Sequence, residues 1–425
     1  MNIILPIMQV RRPALANAPR GATNRFCKRP VWSTHQVGRT RAAASIGVDR
    51  EPCAESSTID VSSFDHGADN VTATLAAAAS ETTGLETVST LPNVSPTHVA
   101  GVAAAAIAMY AIKKVFDTPS RTYDQNVGDE YDNWTSDGIL EYYWGEHIHL
   151  GYYTKEEREA GYKKRDFIEA KYTFIDKMLE WSAADSPKTV LDVGCGIGGT
   201  SRYLAKAYPD ARVTGITLSP NQVKRATELA KERSLDNVEF KVMNALEMDY
   251  PDDSFDLVWA CESGEHMPDK KAYVEEMTRV LKPGGTLVIA TWCQRDDTAV
   301  PLTEEDKSRL QFLYDEWAHP YFISKEAYGT LCQETGKLGD VTISDWTAPT
   351  IDSWRHSIWV GVWDPWIVVF KGPKAWYSVT REIVTLERMH RAFADGLMEY
   401  GMIKAKKTVD GDGRSSLVAT DDEAR

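Results

Sequence analysis

Thr189-Val190-Leu191-Asp192-Val193-Gly194-Cys195-Gly196-Ile197-Gly198-Gly199-Thr200 decides the fold of this chain. Its first five residues are β-type, glycines crowd the next six, and Ser201 to Lys206 reads as the first turns of a helix. Gly194, Gly196 and Gly199 satisfy the G-x-G-x-x-G spacing that lets backbone amides approach a dinucleotide. Asp192, at the carboxyl end of the strand, argues for a different ligand. A carboxylate there repels a pyrophosphate and attracts an ammonium, while the glycines permit close backbone approach. The residues therefore favour the methionyl end of S-adenosylmethionine over a nicotinamide dinucleotide. A glycine-rich turn with no ligand is the plain alternative.

Strand and helix signals alternate onward from this turn at the pace of a parallel α/β sheet. Strands are expected at 190–193, 213–217, 238–242, 255–260 and 286–291. The first helix is expected at about 200–208. Ser219-Pro220 supplies an N-cap followed by proline at the first helical position, and Val223, Ala226, Leu229 and Ala230 then share one helix face. A helix over 271–281 is stopped by Pro283-Gly284-Gly285. The expected fold is α/β, a doubly wound, mostly parallel, Rossmann-like sheet.

Composition divides the rest of the 425 residues. Residues 1–48 hold eight Arg or Lys and no acid, the composition of an organelle transit peptide. Residues 49–98 read as a low-complexity linker. Residues 99–116 form an Ala-rich apolar segment ending in Lys113-Lys114-Val115-Phe116. Its uncharged run falls short of the roughly 20 residues that span a bilayer, so a short anchor, a targeting segment and a plain helix all remain open. An amino-terminal lid is expected over 120–184, a methyl-donor domain over 185–298, an acceptor region over 299–406 and a disordered tail over 407–425. A net charge of −14 argues against a nucleic-acid partner, and six scattered cysteines without a C-x-x-C pair argue against a zinc or other metal site.

The elements over 185–295, with Lys282-Pro283-Gly284-Gly285 before an apolar strand, resemble the class I S-adenosylmethionine-dependent methyltransferases. In that family an acid often ends the second strand and binds the ribose; here Thr217 stands there, so the resemblance implies neutral contacts from Thr217, Leu218 and Gln222. Asn244 and Ala245 fall where the adenine is bound, beside Gly194, Cys195 and Gly196 for the methionyl end. The loop Glu262-Ser263-Gly264-Glu265-His266-Met267-Pro268-Asp269-Lys270 and the upstream Tyr143-Trp144-Gly145-Glu146-His147-Ile148-His149-Leu150-Gly151 resemble the tocopherol and plastoquinone branch. Trp292-Cys293, Trp317-Ala318-His319-Pro320, Asp345-Trp346-Thr347 and Ser357-Ile358-Trp359 extend the likeness over 123–406.

That resemblance implies methylation of a ring carbon on a prenylated quinol, either a 2-methyl-6-phytyl-benzoquinol or a tocopherol precursor. The chemistry needs a base to ionise the phenol, close approach to the donor methyl and exclusion of water. Glu265 and His266 are the expected bases, with Glu262 and His147 behind them. Trp346, Trp354, Trp359, Trp363, Trp366 and Trp376 read either as core or as a greasy, membrane-facing lip for the prenyl tail, with peripheral membrane contact. An amine, phosphobase or sterol methyltransferase and an inactive donor-binding module are the competing readings. Oligomeric state is not encoded in any of these signals.

Overall fold

The computed structural model describes residues 95–117, 138–317, 319–409 and 417–420. The transit segment 1–48 and nearly all of the linker lie outside these residues. Helix α1 (Pro96–Phe116) covers the Ala-rich segment, starting at the Ser95 cap. No helix among the described residues is long and apolar enough to cross a membrane. The lid contains α2 (Ile139–Trp144), α3 (Lys155–Ala160) and α4 (Phe167–Ser182).

The donor domain then alternates β1 (Thr189–Val193), α5 (Gly199–Ala207), β2 (Arg212–Thr217), α6 (Pro220–Glu232), β3 (Val238–Val242) and β4 (Phe255–Cys261). A 3-10 turn (Gly264–His266), α7 (Lys270–Val280) and β5 (Leu281–Gln294) follow. Ser219 caps α6 by accepting the Gln222 amide at 3.0 Å, with Pro220 at the first helical position as the sequence predicts. Beyond β5 come α8 (Glu304–Trp317), α9 (Lys325–Glu334), β6 (Leu338–Asp345) and α10 (Thr347–Thr350). The chain continues through α11 (Asp352–Trp363), α12 (Trp366–Lys371), α13 (Pro373–Ala394), β7 (Met398–Lys407) and β8 (Leu417–Thr420).

One eight-stranded sheet runs in the order β3-β2-β1-β4-β5-β7-β6-β8. The first five strands are parallel, while β7 enters antiparallel between β5 and β6. Side-chain alternation divides two cores across this sheet. Val190, Val213, Leu257 and Trp259 face Phe174, Leu204 and Tyr400 on one side; Leu191, Ile216, Val258 and Ala260 face Tyr273, Met277 and Tyr328 on the other.

Three expectations change. The strand after Pro283-Gly284-Gly285 begins at Leu281, because Leu281 already pairs with Phe255 and the positive φ of Gly284 absorbs the irregularity before Thr286 meets Leu257. The region 299–406, expected to carry the acceptor site, also supplies strands to the donor sheet: β7 lies along β5 from Thr286↔Lys406 to Gln294↔Met398, and β6 pairs with β7. In the tail, Leu417–Thr420 is a strand paired with β6 rather than disordered. Its Leu-Val-Ala-Thr sequence suits a pleated edge and satisfies backbone groups that β6 would otherwise present to solvent.

The tryptophan-rich run also divides. Trp346 and Trp354 are core, while Trp363, Trp366 and Trp376 are exposed.

Candidate active site

The turn after β1 is fixed by backbone geometry. The amides of Gly194 and Cys195 both donate to the Ile216 carbonyl at 2.9 Å, and Gly194 sits at φ +81°. A Cβ on Gly194 would stand 2.3 Å from the Ser263 Cβ, and one on Gly199 would stand 2.1 Å from the Glu146 carbonyl oxygen. Larger residues would therefore push apart the strand-four loop and the lid. Asp192 is buried, and Ser201 Oγ, at 2.5 Å, donates to its Oδ2. Burial pushes the Asp192 carboxyl up to about 6, against the opposing pull of the Ser201 bonds.

These elements border a cavity of about 300 Å³ whose wall contains Asp192, Gly194, Cys195, Gly196, Thr217, Leu218, Gln222, Asn244 and Ala245. All nine residues assigned to the donor from sequence thus meet in one place. Thr217 Oγ1 donates to Gln222 Oε1 at 2.7 Å, leaving the Gln222 amide nitrogen as the donor end of that side chain. Asn244 Oδ1 accepts the Leu246 amide at 3.0 Å, which orients its own amide nitrogen in the same way. Leu218, Met243, Ala245 and Leu246 supply apolar wall.

The set fits S-adenosylmethionine. An added Cβ on Gly196 meets nothing within 4 Å, so this glycine opens a cradle beside the anionic Asp192. Asp192 suits an ammonium, Gln222 and Thr217 suit hydroxyls, and the apolar residues suit a flat base.

The lid closes the other side. Lys171 is fully buried, and its Nζ donates to the Trp144 carbonyl at 2.6 Å and to the His147 carbonyl at 2.8 Å. Arg202 and Arg233 both pair with Glu146, tying the lid to α5 and α6. His147 enters the cavity wall with Nδ1 at 3.5 Å from Thr200 Oγ1. His149 also stands in that wall, and its Nδ1 lies 2.8 Å from the Leu150 carbonyl. A carbonyl only accepts, so Nδ1 carries the proton and Nε2 is an acceptor; it has no hydrogen-bond partner among the described residues. Burial holds the His149 ring neutral, with its pKa down to about 3.

After β4 the chain turns sharply at Glu262, a non-glycine residue at φ +49°. Its Oε1 accepts the Leu150 amide and the Tyr400 hydroxyl, each at 2.7 Å. Both bonds fall on one oxygen, so Oε2 is the oxygen available to a ligand in the cavity that Glu262 lines. Burial, and then the nearby Glu265 charge, raise its pKa above the ordinary carboxyl range.

Glu265 is placed differently. It is absent from the cavity wall, and its Oε2 accepts the Thr291 hydroxyl at 2.8 Å behind the loop. Lys270 Nζ braces this turn by donating to the carbonyls of Gly264 at 2.7 Å and Glu265 at 3.0 Å. His266 does line the cavity, and its ring stacks on His319 with centroids 4.5 Å apart. Burial lowers its pKa to about 3. Trp292 and Trp317 also pack against His319, with Trp354 stacked on Trp317.

Of the four base candidates, the structure brings Glu262, His266 and His147 to the cavity wall and leaves Glu265 outside it, bonded to Thr291. Sequence reasoning missed His149, Lys171, Ser201, Tyr400 and the aromatic backing of His266. His149 lay within the recognised lid motif; Tyr400, 138 positions beyond Glu262, gave no local signal.

Comparison with known proteins bears on the same region. Residues 184–336 match the family described as a methyltransferase domain. The chain is 46% identical over 284 residues to the 2-methyl-6-phytyl-1,4-hydroquinone methyltransferase of Synechocystis sp., covering 66% of this chain and 87% of that protein. It is 34% identical to the chloroplastic tocopherol O-methyltransferase of Arabidopsis thaliana, over 65% of this chain and 81% of that one. Among solved structures, geranyl diphosphate C-methyltransferase from Streptomyces coelicolor A3(2) shares the fold, with a TM-score of 0.53 and 20% identity. That alignment covers 68% of this chain and 100% of the bacterial one.

Proposed function

Because the chain belongs to the S-adenosylmethionine-dependent methyltransferases of the tocopherol and plastoquinone type, we propose that it methylates a ring carbon of a prenylated hydroquinone. The observation that carries this reading is Glu262: a strained carboxyl made more basic by burial, fixed at one oxygen and bordering the donor cavity. A 2-methyl-6-phytyl-hydroquinone is the preferred acceptor, supported by the Synechocystis relative. When bound, the donor would supply an electrophilic methyl group and leave as the thioether, and the ring carbon that takes the methyl gives up its hydrogen as a proton.

The chain's own residues do the rest. Asp192 holds the ammonium end of the donor, and Thr217, Gln222 and Asn244 hold its nucleoside end. A phenol carbon is a weak nucleophile until its hydroxyl ionises. Glu262 Oε2 takes that proton, and burial makes the carboxylate a stronger base than an exposed one. Tyr400 and the Leu150 amide keep Oε1 aimed and stabilise the charged form before the proton arrives. Neutral His149 and neutral His266, the latter on its aromatic backing, form a flat wall beside the ring. The lid, held down by Lys171 and Glu146, excludes water from the ionised phenol.

Residues 1–48 direct the chain to a plastid, a reading supported by their composition and by the chloroplastic plant relative.

Purified protein supplied with donor carrying a carbon-13 methyl and with 2-methyl-6-phytyl-hydroquinone, γ-tocopherol or a small amine tests the proposal. Nuclear magnetic resonance of the product should show a new aryl methyl with the hydroquinone preferred. A methoxy carbon, or an N-methyl product formed faster than either phenolic product, overturns it.

A further inference from the structure

Exposed large apolar side chains gather on two stretches of chain that meet. On α1 they are Val102, Ile107, Met109, Tyr110, Ile112 and Phe116; from the end of α11 to the start of α13 they include Trp363, Trp366, Phe370 and Trp376. Phe370 is 82% exposed and Trp366 61% exposed, values far from those of a core residue. The two stretches are joined by hydrogen bonds. Tyr377 Oη donates to the Lys114 carbonyl at 3.2 Å, and Arg381 Nη1 donates to the carbonyls of Lys114 at 3.0 Å and Asp117 at 2.6 Å.

Charge singles out the same surface. The chain carries a net −14, yet residues 96–116 hold Lys113 and Lys114 without an acid, and residues 365–381 hold Lys371, Lys374 and Arg381 without an acid. Three acids that border it are engaged: Asp364 accepts the Tyr142 hydroxyl at 2.6 Å, Glu382 accepts Trp317 Nε1 at 3.1 Å, and Glu316 pairs with Arg381. Exposed tryptophan and phenylalanine flanked by lysine match the boundary between acyl chains and anionic headgroups.

We propose that α1, α12 and the first turns of α13 seat this protein on a lipid bilayer bearing anionic headgroups. The aromatic side chains enter the acyl boundary, and Lys113, Lys114, Lys371 and Lys374 face the headgroups. This surface adjoins the lid, because the Asp364 carbonyl accepts the Tyr143 hydroxyl at 2.7 Å just ahead of the Glu146–His149 cavity wall. Its use to the enzyme rests on the acceptor being prenylated: the tail stays in the bilayer while the ring enters the cavity.

Sedimentation of the full chain with vesicles, without acceptor, separates this proposal from the acceptor assignment. Wild type should partition onto phosphatidylcholine vesicles and more strongly when phosphatidylglycerol is included. Combining Trp366→Ser with Phe370→Ser should lower partitioning about tenfold or more on both compositions. Combining Lys371→Glu with Lys374→Glu should lower it about tenfold on phosphatidylglycerol vesicles only, with high salt erasing the difference. Unchanged donor affinity confirms that the variants fold. A wild type left in the supernatant, or variants that partition like it, overturns the proposal. So does a dimer that the aromatic substitutions dissociate while lipid binding stays the same, since a second copy would then cover the patch.

Discussion

On the donor side, every residue taken from the sequence lies between Asp192 and Ala245, at the ends of three neighbouring strands, and all nine stand in one cavity wall. The acceptor side draws Glu262 from the β4 loop, the Leu150 amide and His149 from the lid, and Tyr400 from β7. Parallel strands aligned by β-sheet register bring their turns together automatically, so a local motif suffices for the donor. Positioning the base takes contacts across the whole molecule. Perturbing the donor side should therefore change affinity, and perturbing the acceptor side should change turnover.

The largest expected effect is on the acceptor side. Glu262→Gln keeps the shape and an oxygen for Tyr400 but loses the base, and should lower kcat by about 10²–10⁴ with donor affinity nearly unchanged. Steady-state turnover beside calorimetric titration with S-adenosylhomocysteine checks both halves. On the donor side, Asp192→Ala removes a buried partner for the ammonium. A charged hydrogen bond of about 1.5–3 kcal/mol corresponds to roughly 10- to 150-fold weaker donor binding in the same titration. Parallel losses of affinity in both variants would break the division.

Acidity should separate the sides further. The Asp192 carboxyl, raised from 3.8 to about 6 in the free protein, is ionised above that value and neutral below it. Donor binding should be strongest above pH 6, weaken by about tenfold for each unit between that value and the lower pKa of the bound state, which the ammonium itself depresses, and level off below it. Titrations from pH 5 to 8 with wild type and Asp192→Asn should converge at the acid end.

The smallest effect is expected from Glu265→Gln. The amide oxygen still accepts from Thr291, and the side chain does not border the cavity, so kcat should stay within about threefold of wild type. Turnover on the hydroquinone is the check.

Much of this was legible in the sequence. The first four parallel strands fall within one residue of their expected limits, because their apolar runs are bounded by glycine, proline and caps, while β5 runs past its expected limits at both ends. Strands β6 and β7 were missed since Leu338–Asp345 and Met398–Lys407 lack clean alternation, being covered by helices and neighbours on both faces. Glu265 drew more weight than Glu262 because both follow β4. The left-handed turn at Glu262 and the 3-10 turn after it, which send the two side chains in different directions, arise from packing against Thr291 and Tyr400. For the tryptophans, residue type alone could not separate Trp354, packed on Trp292 and Trp317, from Trp366, which faces solvent.

Which carboxyl removes the phenol proton is tested most directly by the pH dependence of a single turnover at saturating donor. Burial raises the Glu262 pKa, so the fraction present as base grows with pH and the wild-type rate should climb through and above neutrality before levelling. The account predicts that Glu262→Gln abolishes this rise while Glu265→Gln keeps it. A rise that survives in Glu262→Gln, or one that disappears in Glu265→Gln, contradicts it.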